Sequence, residues 1–208
     1  GVGHGDGELT VVGHRAGGGG WVRLLAPERA ETVAAEHAEV GGGWPRPLDV
    51  VRVPAGETVP MQHQQENVRL PGGGWSRVDR RDAAAVAHRL DDPRALGRRT
   101  DSSGDGQNDR IPELYTLFME QSVALVRPDE AHLARIAPTR ATPTGTRVIF
   151  HLDGRRYNLP VTDAAVLADG GPAHGTVWTA PLLCVVISTP AEEGYSYRHV
   201  AGLIPAAA

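Results

Sequence analysis

The stretch "TRVIFHLDGRRYNLPVTD", Thr146 to Asp163, carries the strongest local signal in the chain. Val148, Phe150 and Leu152 alternate with Arg147, Ile149 and His151. After Asp153-Gly154 the alternation returns through Tyr157, Leu159 and Val161. A period of two puts successive side chains on opposite faces of a strand. Asp-Gly between two such runs predicts a two-residue type I′ hairpin, because both turn residues need positive φ. Thr162 or Asp163 is placed to cap a short helix in "DAAVLAD".

Strand-like segments extend outward from this hairpin in both directions. "APLLCVVIST" and "YRHVAGLIP" follow it, and "SVALVRP" and "AHLARIAP" precede it. Further back come "ELTVVG" (Glu8 to Gly13), "WVRLL" (Trp21 to Leu25), "PLDVVRVP" (Pro47 to Pro54), "ENVRL" and "WSRVD". In "PLDVVRVP", Leu48 and Val50 share one face while Val51 and Val53 share the other, which predicts burial on both.

Helical signals are few. "RRDAAAVAHRL", Arg80 to Leu90, places Ala83, Val86, Ala87 and Leu90 on one stripe, with Asp82 as a first-turn acid. A shorter helix is expected from Ala30 to Ala38, and Leu114, Leu117 and Phe118 suggest a helical turn. "GRRTDSSGDGQNDR", Gly97 to Arg110, is polar and lacks periodicity, so it reads as a linker or long loop. Many short strands with few short helices predict a mainly β chain folded as small Greek-key barrels.

Composition narrows the chemistry. The 208 residues allow one large domain or two small ones, with 40% hydrophobic content for a core. A formal charge of -4 gives no global reason to bind nucleic acid, so such binding needs a local basic face. All 21 basic residues are arginine. Codon bias in a GC-rich genome explains this better than selection for guanidinium chemistry. Without lysine there is no Walker A loop, no Schiff-base lysine and no kinase-type ATP lysine. The lone Cys184, inside "LLCVVI", reads as core, and a chain with one thiol forms no internal disulfide. No apolar stretch reaches the length of a membrane span. A cytoplasmic protein without a membrane partner is expected.

Motifs for catalysis or metal binding are incomplete. "GGGW" recurs at Gly18 to Trp21, Gly41 to Trp44 and Gly72 to Trp75. Either these tryptophans stack on bases, or they begin buried strands after glycine turns; burial is the preferred reading. "DSSGDGQND" resembles the start of a calcium loop, with Asp101, Ser103, Asp105 and Gly106 in register. Its last ligand position is Pro112, and Glu113 falls one residue late, so a solvated loop is preferred. The polar run Gln62 to Asn67 contains His63 and Glu66 but lacks the further ligands that zinc requires. "GVGHGDG" has no preceding strand, and no G-x-S-x-G elbow occurs. No catalytic residue, cofactor or metal is expected, and an enzyme is the less favoured reading.

Several phrases recur in one order: "GGGGWVRLLAP", "PLDVVRVP" with "HQQENVRL", "GGWSRVDR", "LDGRRYNLPVTDAAV", and "APLLCVVIST" with "EGYSYRHVAGLI". Together they resemble the bacterial dual OB-containing domain family, from about Glu8 to Ile204. The resemblance implies two OB-like Greek-key barrels packed in tandem, and a nucleic-acid-binding role inferred from those folds. It supplies no catalytic residues. Two departures stand out. The segment before Trp21 is short, so the first barrel is expected to be open or completed by something else. Leu24 also stands where the family pattern has proline.

The expected division is residues 1–110 for the first barrel, including the 97–110 linker, and 111–208 for the second. The favoured function is a non-enzymatic module of a larger processing or defence system, binding DNA or RNA. Its expected contacts are Trp21, Arg23, Arg52, Arg69, Trp75, Arg77, Arg147, Arg155, Arg156, Tyr157 and Tyr197. Arginines would neutralise phosphates while the aromatics stack on bases. The alternatives are a protein-interaction module docking a partner enzyme, and a small-ligand sensor or hydrolase using Gln62 to Asn67. Oligomeric state is left open.

Overall fold

The computed structural model describes residues 2–5, 8–27, 32–71, 73–138, 145–168 and 172–206. In the first half, β1 (Val2–Gly5), β2 (Glu8–His14) and β3 (Trp21–Leu25) form an antiparallel meander. β4 (Val33–Ala34) adds a short pairing to β2. β5 (Asp49–Arg52), β6 (Glu57–Thr58), β7 (Asn67–Arg69) and β8 (Ser76–Arg80) complete this half. β3 runs parallel to β7, which pairs antiparallel with β6, giving the order β1-β2-β3-β7-β6. One parallel step after a meander marks a Greek-key crossover. Among the described residues no pairing returns from β6 to β1, so the barrel is open. β5 and β8 form a separate two-stranded ribbon. Leu9, Val11, Leu24, Val68, Leu70 and Trp75 form the core of this half.

The second half closes. Its elements are β9 (Arg110–Pro112), α1 (Glu113–Thr116), β10 (Val123–Val126), β11 (Glu130–Arg135), β12 (Thr146–Leu152), β13 (Arg155–Pro160), α2 (Ala164–Leu167), β14 (Val177–Thr179), β15 (Leu182–Ile187) and β16 (Tyr195–Ile204). β11, β12 and β13 make a meander, and Val161 then bridges in parallel to Val200 on β16. From β16 the sheet passes to β15 and on to β10. β10 and β11 are one chain path interrupted only at Arg127 to Asp129, so the sheet returns to its starting strand. Its interior holds Val126, Val148, Phe150, Leu159, Val185 and Val200.

The predicted hairpin is present. Asp153 and Gly154 have φ of 49° and 71°, as the type I′ turn requires. Asp163 caps α2 by accepting from the Ala165 and Val166 amides at 2.9 and 3.4 Å. Three other expectations need correction. The Arg80 to Leu90 helix is a 3₁₀ helix over Ala84–Arg89, with Ala83 and Val86 packed inward and Leu90 exposed. The Ala30 to Ala38 segment begins outside the described residues and continues as β4 and a 3₁₀ turn, Ala35–Ala38. Val50, Val51 and Val53 are half-buried rather than buried, because β5 pairs only with the exposed strand β8.

β15 joins the two units. Its inward residues Leu183 and Val185 face the second barrel's core. Leu182, Cys184 and Val186 face outward, against Val12 of β2 and beside Trp21 and Val86. Burial on both faces explains why "LLCVVI" is apolar without alternation. Beside this apolar seam lies a polar clamp. The buried Arg23 guanidinium donates to Ser122 Oγ at 2.6 Å and to the Ile187 carbonyl at 3.0 Å. Glu66 accepts from the Ser122 amide at 3.2 Å and from its hydroxyl, and lies 3.8 Å from Arg23. His63 bonds the Ser188 carbonyl at 3.0 Å. Asp91 takes Trp21 Nε1 at 3.0 Å from one unit and the Leu125 amide at 2.8 Å from the other.

The polar stretch Gly97 to Arg110 is fastened to the second barrel by two further buried arginines. Arg198 on β16 donates to the carbonyls of Leu96, Asn108 and Arg110 at 2.7, 2.8 and 3.2 Å. Burial lowers its pKa to about 10, which leaves it charged at neutral pH. Arg147 on β12 bonds Asp109 at 3.2 Å and Asn158 Oδ1 at 3.0 Å. Asp109 also accepts from the Ser103 amide at 2.8 Å. Gly106 lies against this cluster, where a methyl group would run into the Asp109 carboxylate and the Arg147 guanidinium. Gly106→Ala is therefore expected to destabilise the fold by about 2–4 kcal/mol, read from the urea midpoint, because it disrupts a buried ion pair.

Acid is a second test of this packing. Burial, then Arg23, lowers the pKa of His199 to about 4, and burial also lowers that of His63. Both are neutral in the folded chain, whereas the unfolded chain takes up protons below about pH 6.5. Their stabilising contribution is complete above pH 6.5 and is lost as pH falls toward the folded values. Burial raises the pKa of Asp163, which acts in the opposite sense as it protonates. The difference between variants is therefore the measure. His199→Gln should flatten the fall in urea midpoint between neutral and acidic pH, removing on the order of 2–3 kcal/mol of it.

Candidate nucleic-acid interface

The residues singled out from sequence fall into three groups. Arg23 and Arg147 are 1% exposed, and their guanidinium groups are committed to the internal partners described above. Tyr157 stacks on Phe150 inside the second barrel with ring centroids 5.1 Å apart, and Trp75 packs in the first core. Arg23 and Arg147 are therefore not presented to a ligand on the outer surface, while Tyr157 and Trp75 are reached only from the walls of surface grooves. Arg147 alternates with the apolar residues of β12, and the 97–110 segment covers it through Asp109.

A second group is scattered. Arg52 and Arg77 lie on the exposed ribbon, where Arg77 is paired with Asp49 at 3.0 Å. Arg69 is half-buried on β7. Tyr197 donates to Glu193 at 2.7 Å; burial, then this carboxylate, pushes its phenol pKa up. Trp21 is half-buried, its ring tilted 38° against that of His14 with centroids 4.0 Å apart. The polar run Gln62 to Asn67 is occupied structurally, through His63 and Glu66 in the clamp and an Asn67–Gln64 side-chain bond at 3.2 Å. The loop resembling a calcium site holds Asp101 on Arg110 at 2.9 Å and turns Asp109 inward to Arg147. Among the described residues no cluster of three metal-ligating side chains forms.

The third group is Arg155 and Arg156, at the start of β13 after the hairpin turn. Both are exposed. Arg155 donates to the Arg98 carbonyl at 3.1 Å, and Arg156 bonds Gln107 Oε1. This brings the hairpin beside a segment that sequence reasoning missed. Asp92 caps a 3₁₀ turn, Pro93–Leu96, by accepting from the Arg94 amide at 2.8 Å. The buried Leu96 then anchors the turn in the second core, leaving Arg94, Arg98 and Arg99 on the surface. Two grooves, of about 330 and 670 Å³, share Arg94, Gly97 and Arg98 along their walls. The smaller ends at Arg155, and the larger extends to Tyr115 and Phe118 beyond Arg99.

The charge on this face is uncompensated at close range. Among the described residues Arg94, Arg98, Arg99, Arg155 and Arg156 have no carboxylate at ion-pair distance. Asp91, Asp92, Asp153 and Glu120 also border the grooves, but the first two are held on internal donors. Arg99 sits 5.9 Å above the Tyr115 ring, and Phe118 is 79% exposed. Flexible cations beside unsatisfied aromatic rings can contact phosphates and stack on bases together. The available signal was "PRALGRR", Pro93 to Arg99, three arginines without an acid between them. The linker-like composition that follows hid it.

Among the described residues no helix is long and apolar enough to cross a membrane. No curated protein and no solved structure matches the chain. The family comparison, however, matches residues 3–203, in agreement with a mainly β chain of one open and one closed Greek-key unit, and the chain belongs to the dual OB-containing domain family.

Proposed function

We propose that the protein is a non-enzymatic nucleic-acid-binding module that contacts DNA or RNA through the arginine face of its second barrel. The carrying observation is the juxtaposition of Arg94, Arg98, Arg99 and Arg155 with the exposed rings of Tyr115 and Phe118. The guanidinium groups neutralise phosphates, and the rings stack on unpaired bases. This local face answers the negative net charge of the whole chain. OB-type barrels bind oligonucleotides, so the family membership supports the reading at the level of fold. A cytoplasmic setting accompanies it, with the single thiol Cys184 held buried and free.

One observation favours a second reading. Leu114 and Leu117 are exposed beside Phe118, on and just after α1, and apolar side chains contribute nothing to phosphate binding. In that reading α1 docks a protein partner through a salt-insensitive contact.

Fluorescence anisotropy with labelled single-stranded and duplex oligonucleotides decides between them. Binding at low salt should weaken steeply as salt rises. The double variant Arg98→Ala/Arg155→Ala should lower the salt slope on single strands by about 1.4, from roughly 0.7 per phosphate contact. Phe118→Ala should weaken single-strand binding about fivefold or more. No binding of either strand form at low salt overturns the proposal, and a partner that co-purifies through α1 at high salt replaces it.

A further inference from the structure

The open first barrel leaves a cleft of about 700 Å³ between its sheet and the β5–β8 ribbon. That size falls within the roughly 300–1,000 Å³ range of small-molecule sites. Its apolar walls are Val11, Leu24, Val51, Val53, Val68 and Trp75. Its polar lining is asymmetric. Arg15, Arg46, Arg81 and Arg89 line it against one carboxylate, Asp49. Asp49 is already held by Arg77 and Arg80 at 3.0 and 2.7 Å, and Arg81 pairs with Asp79 at 3.3 Å. Arg15, Arg46 and Arg89 therefore keep a cationic rim with no carboxylate partner among the described residues. His14, which also lines the cleft, has both ring nitrogens shielded from water.

We propose that this cleft binds a small amphipathic anion, with an apolar body among the valines and Trp75 and an anionic head on the Arg15 and Arg89 side of the rim. The apolar walls select the body. A nucleobase would bring several donors and acceptors into a cleft whose uncharged polar side chains are Thr58 and His14, and burying unpaired polar edges is unfavourable. An aliphatic or aromatic body avoids that cost, while the unpaired guanidinium groups discriminate against cations. The cleft is lined mainly by the first barrel, with Leu125, Cys184, Gly202 and Ile204 of the second also in its wall. It shares no lining residue with the grooves of the arginine face, and stands whether or not nucleic acid binds there.

Decanoate is the probe, with decyltrimethylammonium as its cationic counterpart. Isothermal titration and tryptophan fluorescence should show saturable binding of one decanoate per chain and none of the cation. Arg15→Ala/Arg89→Ala should weaken decanoate binding about tenfold or more, since the rim supplies its charge-assisted bonds. Val51→Trp should abolish binding by filling the cleft, with near-UV circular dichroism and the thermal midpoint showing that the fold is kept. If Val51→Trp fails to fold, the double arginine variant decides, because Arg15 is exposed and Arg89 half-buried. Absence of saturable decanoate binding, equal binding of the cation, or unchanged binding in the double arginine variant overturns the proposal.

Discussion

The arrangement of the two barrels depends on where Arg23 places its charge. A guanidinium 1% exposed must have its donors satisfied inside the protein, and no single barrel provides for it. Its partners are Ser122 before β10, the Ile187 carbonyl at the end of β15, and Glu66 ahead of β7. These sites fix the register between the parallel β3–β7 pair of the first unit and the β10–β15 edge of the second. The apolar seam supplies area but tolerates sliding. The clamp specifies one relative position, a role in which buried polar groups are well attested.

Arginine is suited to this work as lysine is not. Its planar fork presents five donors in fixed directions, so one side chain can serve several carbonyls. Arg198 does this with three backbone oxygens, and Arg147 combines a carboxylate with an amide oxygen. The all-arginine composition, which codon usage explains better than selection for guanidinium chemistry, also has structural uses. Among the described residues the three largest fully buried side chains are Arg23, Arg147 and Arg198.

Local features were legible in the sequence. The hairpin depends on two adjacent residues with positive φ, and the Asp163 cap on a contact two and three residues away, so both follow from short-range geometry. The strands around "LLCVVI" were equally plain from their composition. What escaped was set at long range. Arg23 and Arg147 alternate correctly with apolar neighbours, yet they are buried because segments distant in sequence cover them. The surface arginines Arg94, Arg98 and Arg99 were passed over for the opposite reason. Their segment resembles a linker, and only the burial of Leu96 fixes it as a face. His63 and Glu66 lack the further ligands a metal site needs, but the sequence could not name what holds them, because their partners, Ser188 and Ser122, lie 125 and 56 residues away.

The two-sided burial of β15 has a consequence for how the chain can be divided. A shorter chain containing only the second barrel would keep its own interior but expose Leu182, Cys184 and Val186 together with Val123 and Leu125. Such a continuous apolar sheet surface invites self-association, and the unprotected thiol at its centre would become open to oxidation. The inter-barrel wall therefore makes the pair one unit of inheritance: neither half can be recombined into another protein without a substitute for the face it loses.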